Sequence, residues 1–481
     1  MNEKRPIYLV NQGTPPDMPM DPLPLGVLYV GKSLEKAGYR VKIFHLRGKE
    51  DKRLMDAVDE ESPLFVGFSN FVSERLKYDI ELSKTLHGQG IKVVWGGIFS
   101  TALPEVPLRS GCVDYVVTGE GELSAPLLAE AIDNGELPKG VPGAGYLDNG
   151  EFVLEPPQAP RDDLDQFELG LHLIDIEDYI YRDPSGDLNY IAIPYSRGCP
   201  HKCAFCYNSM SETRQVWRAH SAEYMRELVD RLKRNHGVNH VAISSDNAFG
   251  KVKEAMATIG GMGIRWGSAA HINSVTPEFA NWAAESGCFR MGFGIESASP
   301  RVLEIMQKRF DPAIVPERLE LLHKRGVYTI SNWVGLVPGE EEDDLRMTLD
   351  MMEDLWQRFP RHGEFFNVFR PYPHTRLFED AVELGFDPPR NLEQWSKANL
   401  EIHRLLGWSD KRARRFEKLI HSLYGKDRAS ARRTWGPWVR VRPYLTARAR
   451  RLAMRGPVEE FMVMAREGRK QARKILRKSR D

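Results

Sequence analysis

The sequence has few cysteines, no long apolar run and no excess of either charge, and each absence excludes a class of protein. Five Cys among 481 residues are too few for a disulfide scaffold, and an odd number fits a reducing compartment. No apolar run reaches the ~18–20 residues that a membrane-spanning helix needs, and Met1–Asn11 lacks the apolar core of a secretory signal. We therefore expect a cytoplasmic protein of two or three globular domains.

The balance of 67 Lys and Arg against 67 Asp and Glu hides an asymmetry along the chain. Residues 411–481 contain 23 Lys and Arg and 6 Asp and Glu, so the remainder of the chain is acidic. This basic segment also contains Trp435, Trp438 and Tyr444. Two interpretations stay open: a helical cap that pairs with the acidic body, or a peripheral contact with an anionic membrane surface. We expect no nucleic-acid partner.

Residues 1–140 alternate short apolar runs with segments of helical spacing, a pattern typical of a parallel sheet covered on both faces. The predicted strands are Ile7–Asn11, Val41–Leu46, Leu64–Ser69, Val93–Trp95 and Tyr115–Thr118. Ligands of such sheets bind beyond the carboxyl ends of the strands. Polar or glycine-rich loops stand at those ends, namely Ser69-Asn70, Gly96-Gly97 and Gly119-Glu120-Gly121-Glu122.

A second alternation begins near Tyr190 and predicts a partial barrel of six strand–helix units. Its strands are expected at Tyr190–Tyr195, His240–Ser245, Ile264–Ala269, Arg290–Ile295, Tyr328–Val334 and Phe365–Phe369. The proline-rich stretch between the two alternations indicates a linker, with a hairpin around Asp148-Asn149-Gly150. We therefore divide the chain into an α/β domain at 1–140, a linker at 141–189, an α/β barrel at 190–385 and a helical, basic region at 386–481.

The strongest chemical signal is a cysteine triplet directly after the first barrel strand, with the spacing C-x3-C-x2-C at Cys199, Cys203 and Cys206. Three thiolates can bind three irons of a 4Fe–4S cubane and leave the fourth iron open to a small molecule. A zinc site is the alternative, and it would need a fourth ligand such as His201. The other thiols, Cys112 and Cys288, are too few to complete a second cluster.

This triplet resembles the cluster motif of radical S-adenosylmethionine (SAM) enzymes, and further landmarks of that family follow at the strand ends. Ser245-Asp246-Asn247, Gly294-Ile295-Glu296-Ser297 and Val334–Glu340 occupy the positions at which the family contacts the amino, ribose and adenine parts of SAM. Phe369–Thr375 resembles the sixth-strand end of the cobalamin-dependent branch, where Gly is more usual than His374. The resemblance implies SAM contacts at Phe205, Ser245, Asp246, Glu296, Ser297, Val334 and Gly335.

The N-terminal domain resembles the Rossmann-like cobalamin-binding domain that is fused to one branch of these enzymes. The similarity is carried by Pro24–Leu28, Val66–Ser69, Trp95–Gly97 and Val117–Glu122. It implies cobalamin contacts at Leu25, Gly26, Ser69, Asn70, Phe71, Gly96, Gly97, Gly119, Glu120 and Glu122. The axial-histidine motif of other cobalamin domains is not matched around His45, so we expect binding without a protein imidazole. A domain of this shape without the cofactor is the alternative.

The resemblance implies a cobalamin-dependent radical SAM methyltransferase. A 5′-deoxyadenosyl radical would activate a carbon of a secondary-metabolite, lipid or tetrapyrrole substrate, and methylcobalamin would deliver the methyl group. An external electron donor such as flavodoxin or ferredoxin is implied. A non-methylating cyclase, oxidase or rearrangement enzyme of the same architecture is the second hypothesis. A sensor of cobalamin or SAM is the third.

Overall fold

The computed structural model describes residues 4–13, 22–46, 52–73, 75–183, 187–245, 252–397, 402–424 and 449. Two seven-stranded sheets dominate these residues. Helices pack against both sheets, so the α/β class predicted from the sequence is confirmed.

The first sheet has the strand order β2-β1-β3-β4-β5-β6-β7, of which β1 to β5 are parallel. Its strands are β1 (Ile7–Gln12), β2 (Val41–Leu46), β3 (Phe65–Asn70), β4 (Val93–Gly97), β5 (Tyr115–Val117), β6 (Ala144–Asp148) and β7 (Glu151–Leu154). Its helices are α1 (Leu25–Lys36), α2 (Lys52–Glu60), α3 (Leu76–Gly88), α4 (Ile98–Ala102), α5 (Glu105–Leu108) and α6 (Gly121–Asp133). Strand β1 is apolar on both faces because Tyr8 and Val10 pack on one side and Ile7 and Leu9 on the other.

The predicted hairpin is present and belongs to this first sheet rather than to a linker. Strand β6 pairs antiparallel with both β5 and β7. The turn between β6 and β7 uses Asn149 and Gly150, whose φ angles are 51° and 86°. Two adjacent residues with positive φ match the twist of a tight hairpin.

The expectation that all of residues 141–189 form a linker is therefore too simple. Beyond the hairpin, Leu164, Phe167 and Leu169 are buried in the same apolar cluster as the barrel strands. Further along, β8 (Tyr181–Arg182) pairs with the first barrel strand. This stretch, residues 164–182, is called the strap below. The proline content indicated a linker, but the apolar residues between the prolines pack the strap into the barrel cluster.

The second sheet is the predicted partial barrel, with the order β16-β15-β14-β13-β12-β9-β8. Its six strands β9 and β12 to β16 are parallel, and the two ends of this order are not paired with each other among the described residues. Its main strands are β9 (Asn189–Pro194), β12 (His240–Ser244), β13 (Arg265–Ala270), β14 (Cys288–Glu296), β15 (Tyr328–Gly335) and β16 (His362–Val368). A short ribbon joins β10 (Ser196–Arg197) to β11 (Arg218–Ala219).

Two of the barrel helices begin at residues whose side chains cap them. Thr276 and Ser299 accept capping hydrogen bonds from the amides of Phe279 and Val302. The helices of this half are α7 (Glu212–Gln215), α8 (Ala222–His236), α9 (Val252–Gly261), α10 (Pro277–Glu285), α11 (Pro300–Ile305), α12 (Val315–His323), α13 (Glu342–Arg358), α14 (Arg376–Glu383), α15 (Leu392–Lys397) and α16 (Asp410–Tyr424).

The start of the basic region docks on the barrel. Phe416 of α16 packs edge-on against Phe366 of β16, with ring centroids 5.4 Å apart. Arg412 forms an ion pair of 2.7 Å with Glu342 of α13, and Ala449 is buried in the barrel cluster. Apart from the isolated residue Ala449, the basic segment from Lys426 onward lies outside the described part of the chain, and so do Trp435, Trp438 and Tyr444 within it. Within that described part, no helix combines the length and apolar character needed to cross a bilayer.

Candidate functional site

The cysteine triplet lies on a loop that the barrel holds from three sides. The Cys199 amide donates to the Arg214 carbonyl at 3.0 Å, and the Ala204 amide donates to the Met306 carbonyl at 2.9 Å. The Ala204 carbonyl accepts from the Leu377 amide at 2.9 Å. The three thiols are reduced and half-buried, and burial raises the pKa of the Cys203 thiol. The loop is thus fixed by backbone contacts at three points.

The donor set fits a cubane cluster. Among the residues that the structure describes, no group of three His, Cys, Asp or Glu converges as ligands of one metal ion do. A cubane does not require such convergence because each thiolate binds its own iron. His201, the potential fourth zinc ligand, instead stacks on His271 with centroids 5.3 Å apart. A buried cation, Lys308, also lies within electrostatic reach of Cys203 and Cys206.

Lys308 forms the central ion pair of the barrel site with Glu296. The Nζ–Oε1 distance is 2.6 Å, and the two side chains are 10% and 8% exposed. Burial lowers the pKa of Lys308, but Glu296 and Cys203 outweigh it, so the pKa is raised overall. Sequence reasoning missed Lys308 because nothing in the local pattern distinguishes it from a surface lysine. The pair brings a fixed positive and a fixed negative charge to the carboxyl ends of the strands.

The backbone conformation around Glu296 determines the position of this ion pair. Glu296 has a φ of 66°, and the register with β15 shifts between Gly294 and Glu296. A Cβ at Gly294 would lie 2.8 Å from the Lys308 ammonium and closer still to the Glu296 carboxylate. Only glycine leaves room for the pair there. A non-glycine residue in the left-handed region is costly and marks a functional constraint.

The other predicted SAM residues fall into three environments. Phe205 and Val334 pack against one apolar cluster beneath the cysteine loop. Ser297 is fully buried and hydrogen-bonded to Thr348 at 3.1 Å, and Gly335 has no room for a side chain beside Phe366. The Ser245 hydroxyl accepts from the Ser196 amide at 3.1 Å. Asp246 lies outside the described residues.

The turn after β15 is held by a buried carboxyl group. Glu340 accepts hydrogen bonds from the amides of Leu336 and Val337. Leu336 and Gly339 have φ angles of 61° and 80°. Burial raises the pKa of Glu340 to about 8. The predicted adenine-contacting turn is therefore shaped from inside by Glu340, a role the sequence pattern did not show.

A cavity of about 460 Å³ lies between the first sheet, α1, α6 and the β10–β11 ribbon. Glycine backbone forms much of its lining on the side of the sheet. Its volume is in the range of small-molecule and cofactor sites. Eight of the predicted cobalamin contacts line it: Leu25, Gly26, Ser69, Gly96, Gly97, Gly119, Glu120 and Glu122. The structure thus brings these separate strand ends together around one space.

Asn70 and Phe71 lie instead at a second cavity of about 400 Å³, which shares Ser69 with the first. Asn70 is buried, and its Nδ2 has no hydrogen-bond partner within the described residues. A Cβ at Gly97, whose φ is 91°, would lie 2.8 Å from the Asn70 nitrogen. Backbone of β3 and β4 therefore meets directly at this edge. A polar group with an unused donor is available to a ligand here.

An aromatic cluster joins the two halves beside the cysteine loop. Phe71 contacts Tyr207 and Tyr372 with ring centroids 6.2 and 5.6 Å apart. Tyr207 directly follows Cys206 in the sequence. Nearby, His374 has a φ of 63° and hydrogen-bonds the Ala102 carbonyl at 2.8 Å. The positive φ explains why glycine suits that position, and the histidine adds a bond between the domains.

Glu120 and Glu122 line the first cavity with their carboxylates already engaged by barrel arginines. Arg218 donates to Glu120 at 2.5 and 3.1 Å, and Arg197 pairs with Glu122 at 2.6 Å. Burial raises the pKa of Glu120, but its arginine partners outweigh this and lower the pKa overall. The two carboxylates thus connect the domains.

His45 lies away from the lining of both cavities. Its Nδ1 is 2.6 Å from the Tyr179 hydroxyl, and the two rings stack at 5.5 Å. Strand β2 is also the edge strand of its sheet. His45 therefore contacts Tyr179 of the strap rather than either cavity.

Comparison with known proteins places both halves in families. Residues 193–352 match the radical SAM superfamily, and residues 18–129 match the B12 binding domain. An uncharacterised methyltransferase of Pyrococcus horikoshii is 29% identical over 374 residues, which cover 75% of this chain and 78% of the relative. An anaerobic magnesium-protoporphyrin IX monomethyl ester cyclase of Synechocystis is 24% identical over 326 residues, which cover 65% and 64%.

A solved structure shares the fold across both halves. The radical SAM methyltransferase TsrM from Kitasatospora setae, determined with cobalamin and a [4Fe-4S] cluster, superposes with a TM-score of 0.64 at 19% identity. The match covers 80% of this chain and 76% of that one. With its cysteine loop, its glycine-lined cavity and both family matches, the chain combines a B12 binding domain with a radical SAM domain, and its cofactors are a 4Fe–4S cluster, SAM and cobalamin.

Proposed function

We propose that the enzyme transfers a methyl group to a carbon atom of a small-molecule substrate. The observation that carries the proposal is the shared wall of the 460 Å³ cavity, where the cobalamin domain meets Arg197, Gly198 and Tyr207 of the cysteine-loop region. When bound, the cluster with SAM supplies a carbon-centred radical and cobalamin supplies a methyl group. Their binding residues are therefore neighbours across one interface.

Each group of site residues has a separate role in this proposal. Cys199, Cys203 and Cys206 would each hold one iron, and the buried Lys308 offsets the negative charge of the thiolates. Glu296 presents carboxylate oxygens that can accept from ribose hydroxyls. The cluster around Phe205 offers an apolar surface that excludes water. Asn70 and Phe71 are predicted to contact the lower face of cobalamin.

The substrate class is proposed as a secondary metabolite, lipid-like molecule or tetrapyrrole, with a flavodoxin- or ferredoxin-type electron donor. The relative that is named as a protoporphyrin ester cyclase favours a second candidate, a radical reaction without methyl transfer. A peripheral membrane contact through the basic tail, residues 411–481, stays a prediction, as does a cytoplasmic location.

Label transfer from SAM tests methyl transfer. Protein purified without oxygen, with iron and cobalamin quantified, is reduced in the presence of SAM that carries a deuterated methyl group. Deoxyadenosine, S-adenosylhomocysteine and labelled cobalamin are then measured by mass spectrometry. All three are expected. Deoxyadenosine without labelled cobalamin would instead support the cyclase-type reaction.

The cluster assignment has a matched control within the chain. Cys203→Ala should lose iron and deoxyadenosine formation and should still bind cobalamin, because Cys203 lies on the cysteine loop. Cys288→Ala removes a buried thiol of β14 outside that loop, so this variant should retain iron, deoxyadenosine formation and cobalamin binding. The assignment is wrong if Cys203→Ala retains iron and cleaves SAM.

A further inference from the structure

The β10–β11 ribbon links the cysteine loop to the cobalamin domain. Arg197 in β10 stands two positions before Cys199. Arg218 in β11 lies directly opposite Arg197 in the antiparallel register. Any displacement of this ribbon therefore moves the beginning of the cysteine loop.

Both arginines of the ribbon are paired with carboxylates of the cobalamin domain. Arg197 lies 2.6 Å from Glu122 and 3.5 Å from Glu120. Arg218 forms a two-pronged contact with Glu120 at 2.5 and 3.1 Å. The side chains of Arg218 and Glu122 are only 4% and 5% exposed. These four residues are called the clamp below.

Further contacts fix the clamp on both sides. The Arg197 guanidinium lies 4.5 Å from the centroid of the Tyr29 ring, a cation–π geometry. The Tyr29 hydroxyl is 2.9 Å from His220 Nε2, and His220 Nδ1 is 2.9 Å from Asp165. Arg218 also donates to the Arg161 carbonyl at 3.0 Å. The ribbon thus cannot shift without separating buried opposite charges, which is strongly unfavourable.

All four clamp residues line the 460 Å³ cavity. A ligand that fills this cavity displaces water from beside the clamp, which lowers the local dielectric and strengthens each ion pair. The same pairs position the ribbon that leads to Cys199. We propose that Arg197 and Arg218 are positioning residues that couple cobalamin binding to the arrangement of the cysteine loop. This inference rests on the proposed binding of cobalamin in the cavity.

Coupling of this kind is reciprocal. If bound cobalamin stabilises the ordered cysteine loop, then a cluster that orders the loop must raise the affinity for cobalamin by the same factor. The test compares the cobalamin Kd of the full chain before and after cluster reconstitution, with aquacobalamin as the probe and absorption spectra as the readout. For the wild type, the Kd before reconstitution is expected to exceed the Kd after it by a ratio of about fivefold or more. In the variant with both Arg197→Gln and Glu122→Gln the ratio should fall to about one.

The double variant avoids leaving a buried charge unpaired, so it should fold. Arg226→Gln is the matched control, because it removes a positive charge from an exposed ion pair with Glu223, and it should keep the wild-type ratio. The inference is overturned if the wild-type ratio is one, or if the double variant keeps it. Failure of the wild type to bind cobalamin in either state would overturn the proposed function as well.

Discussion

Removing the charge of Lys308 alone should destabilise the barrel far more than removing it together with the charge of Glu296. The two groups are 2.6 Å apart and about nine-tenths buried. Lys308→Met leaves the Glu296 carboxylate buried without its partner, which costs about 3–5 kcal/mol. For a domain of this size, that loss lowers Tm by about 6–20 °C. Adding Glu296→Gln neutralises the stranded group, so the double variant should melt close to the wild type.

Thermal unfolding followed by circular dichroism measures this difference. Lys324→Met is the control, because Lys324 and its partner Glu320 are 66% and 51% exposed. An exposed pair of this kind contributes little to stability because solvent screens it, so the control should melt within ~2 °C of the wild type. Equal melting temperatures for Lys308→Met and Lys324→Met would refute the reasoning. A double variant that melts as low as Lys308→Met would refute it too.

Three further variants test single features of the site. His45→Ala should leave the absorption spectrum of bound cobalamin unchanged, and loss of a nitrogen-ligated spectrum would contradict binding without histidine. His374→Ala keeps the positive φ and loses the bond to Ala102, so its Tm should fall by about 2–4 °C, whereas His374→Gly should melt near the wild type. Burial raises the pKa of Glu340 from 4.5 to about 8, so its contribution to stability is complete below pH 4.5 and is lost as pH rises to 8. Glu340→Gln should flatten this decline in a Tm-against-pH series, and the exposed Glu304→Gln should not.

Local patterns were sufficient to predict the strands and the cysteine loop. The apolar runs of β1 and β3 predict a parallel sheet without knowledge of any partner, because strands buried on both faces must be apolar. The thiols of the triplet are three and four positions apart, so their chemistry is visible within one loop. Such features depend on neighbours in the sequence.

The charged partners at the site could not be predicted in the same way. Glu120 stands 98 positions from Arg218, and the pairing exists only because two domains meet. The carboxylates at the strand end therefore indicated a ligand contact, whereas the structure engages them in ion pairs with the barrel. Lys308 is 12 positions from Glu296, but a bulge and a positive φ decide where that carboxylate points. The residue types in the sequence do not reveal these backbone features.

The strap determines when the first domain can finish folding during synthesis. Leu28 and Tyr29 of α1 share their apolar cluster with strap residues and with Ile191 of β9. At 5–20 residues per second, roughly 10–30 s pass on the ribosome between Tyr29 and the arrival of β9. During that time this face of α1 has no partner and is open to chaperones. The cobalamin domain made alone would keep an uncovered apolar face, so the two halves of this enzyme mature as one folding unit.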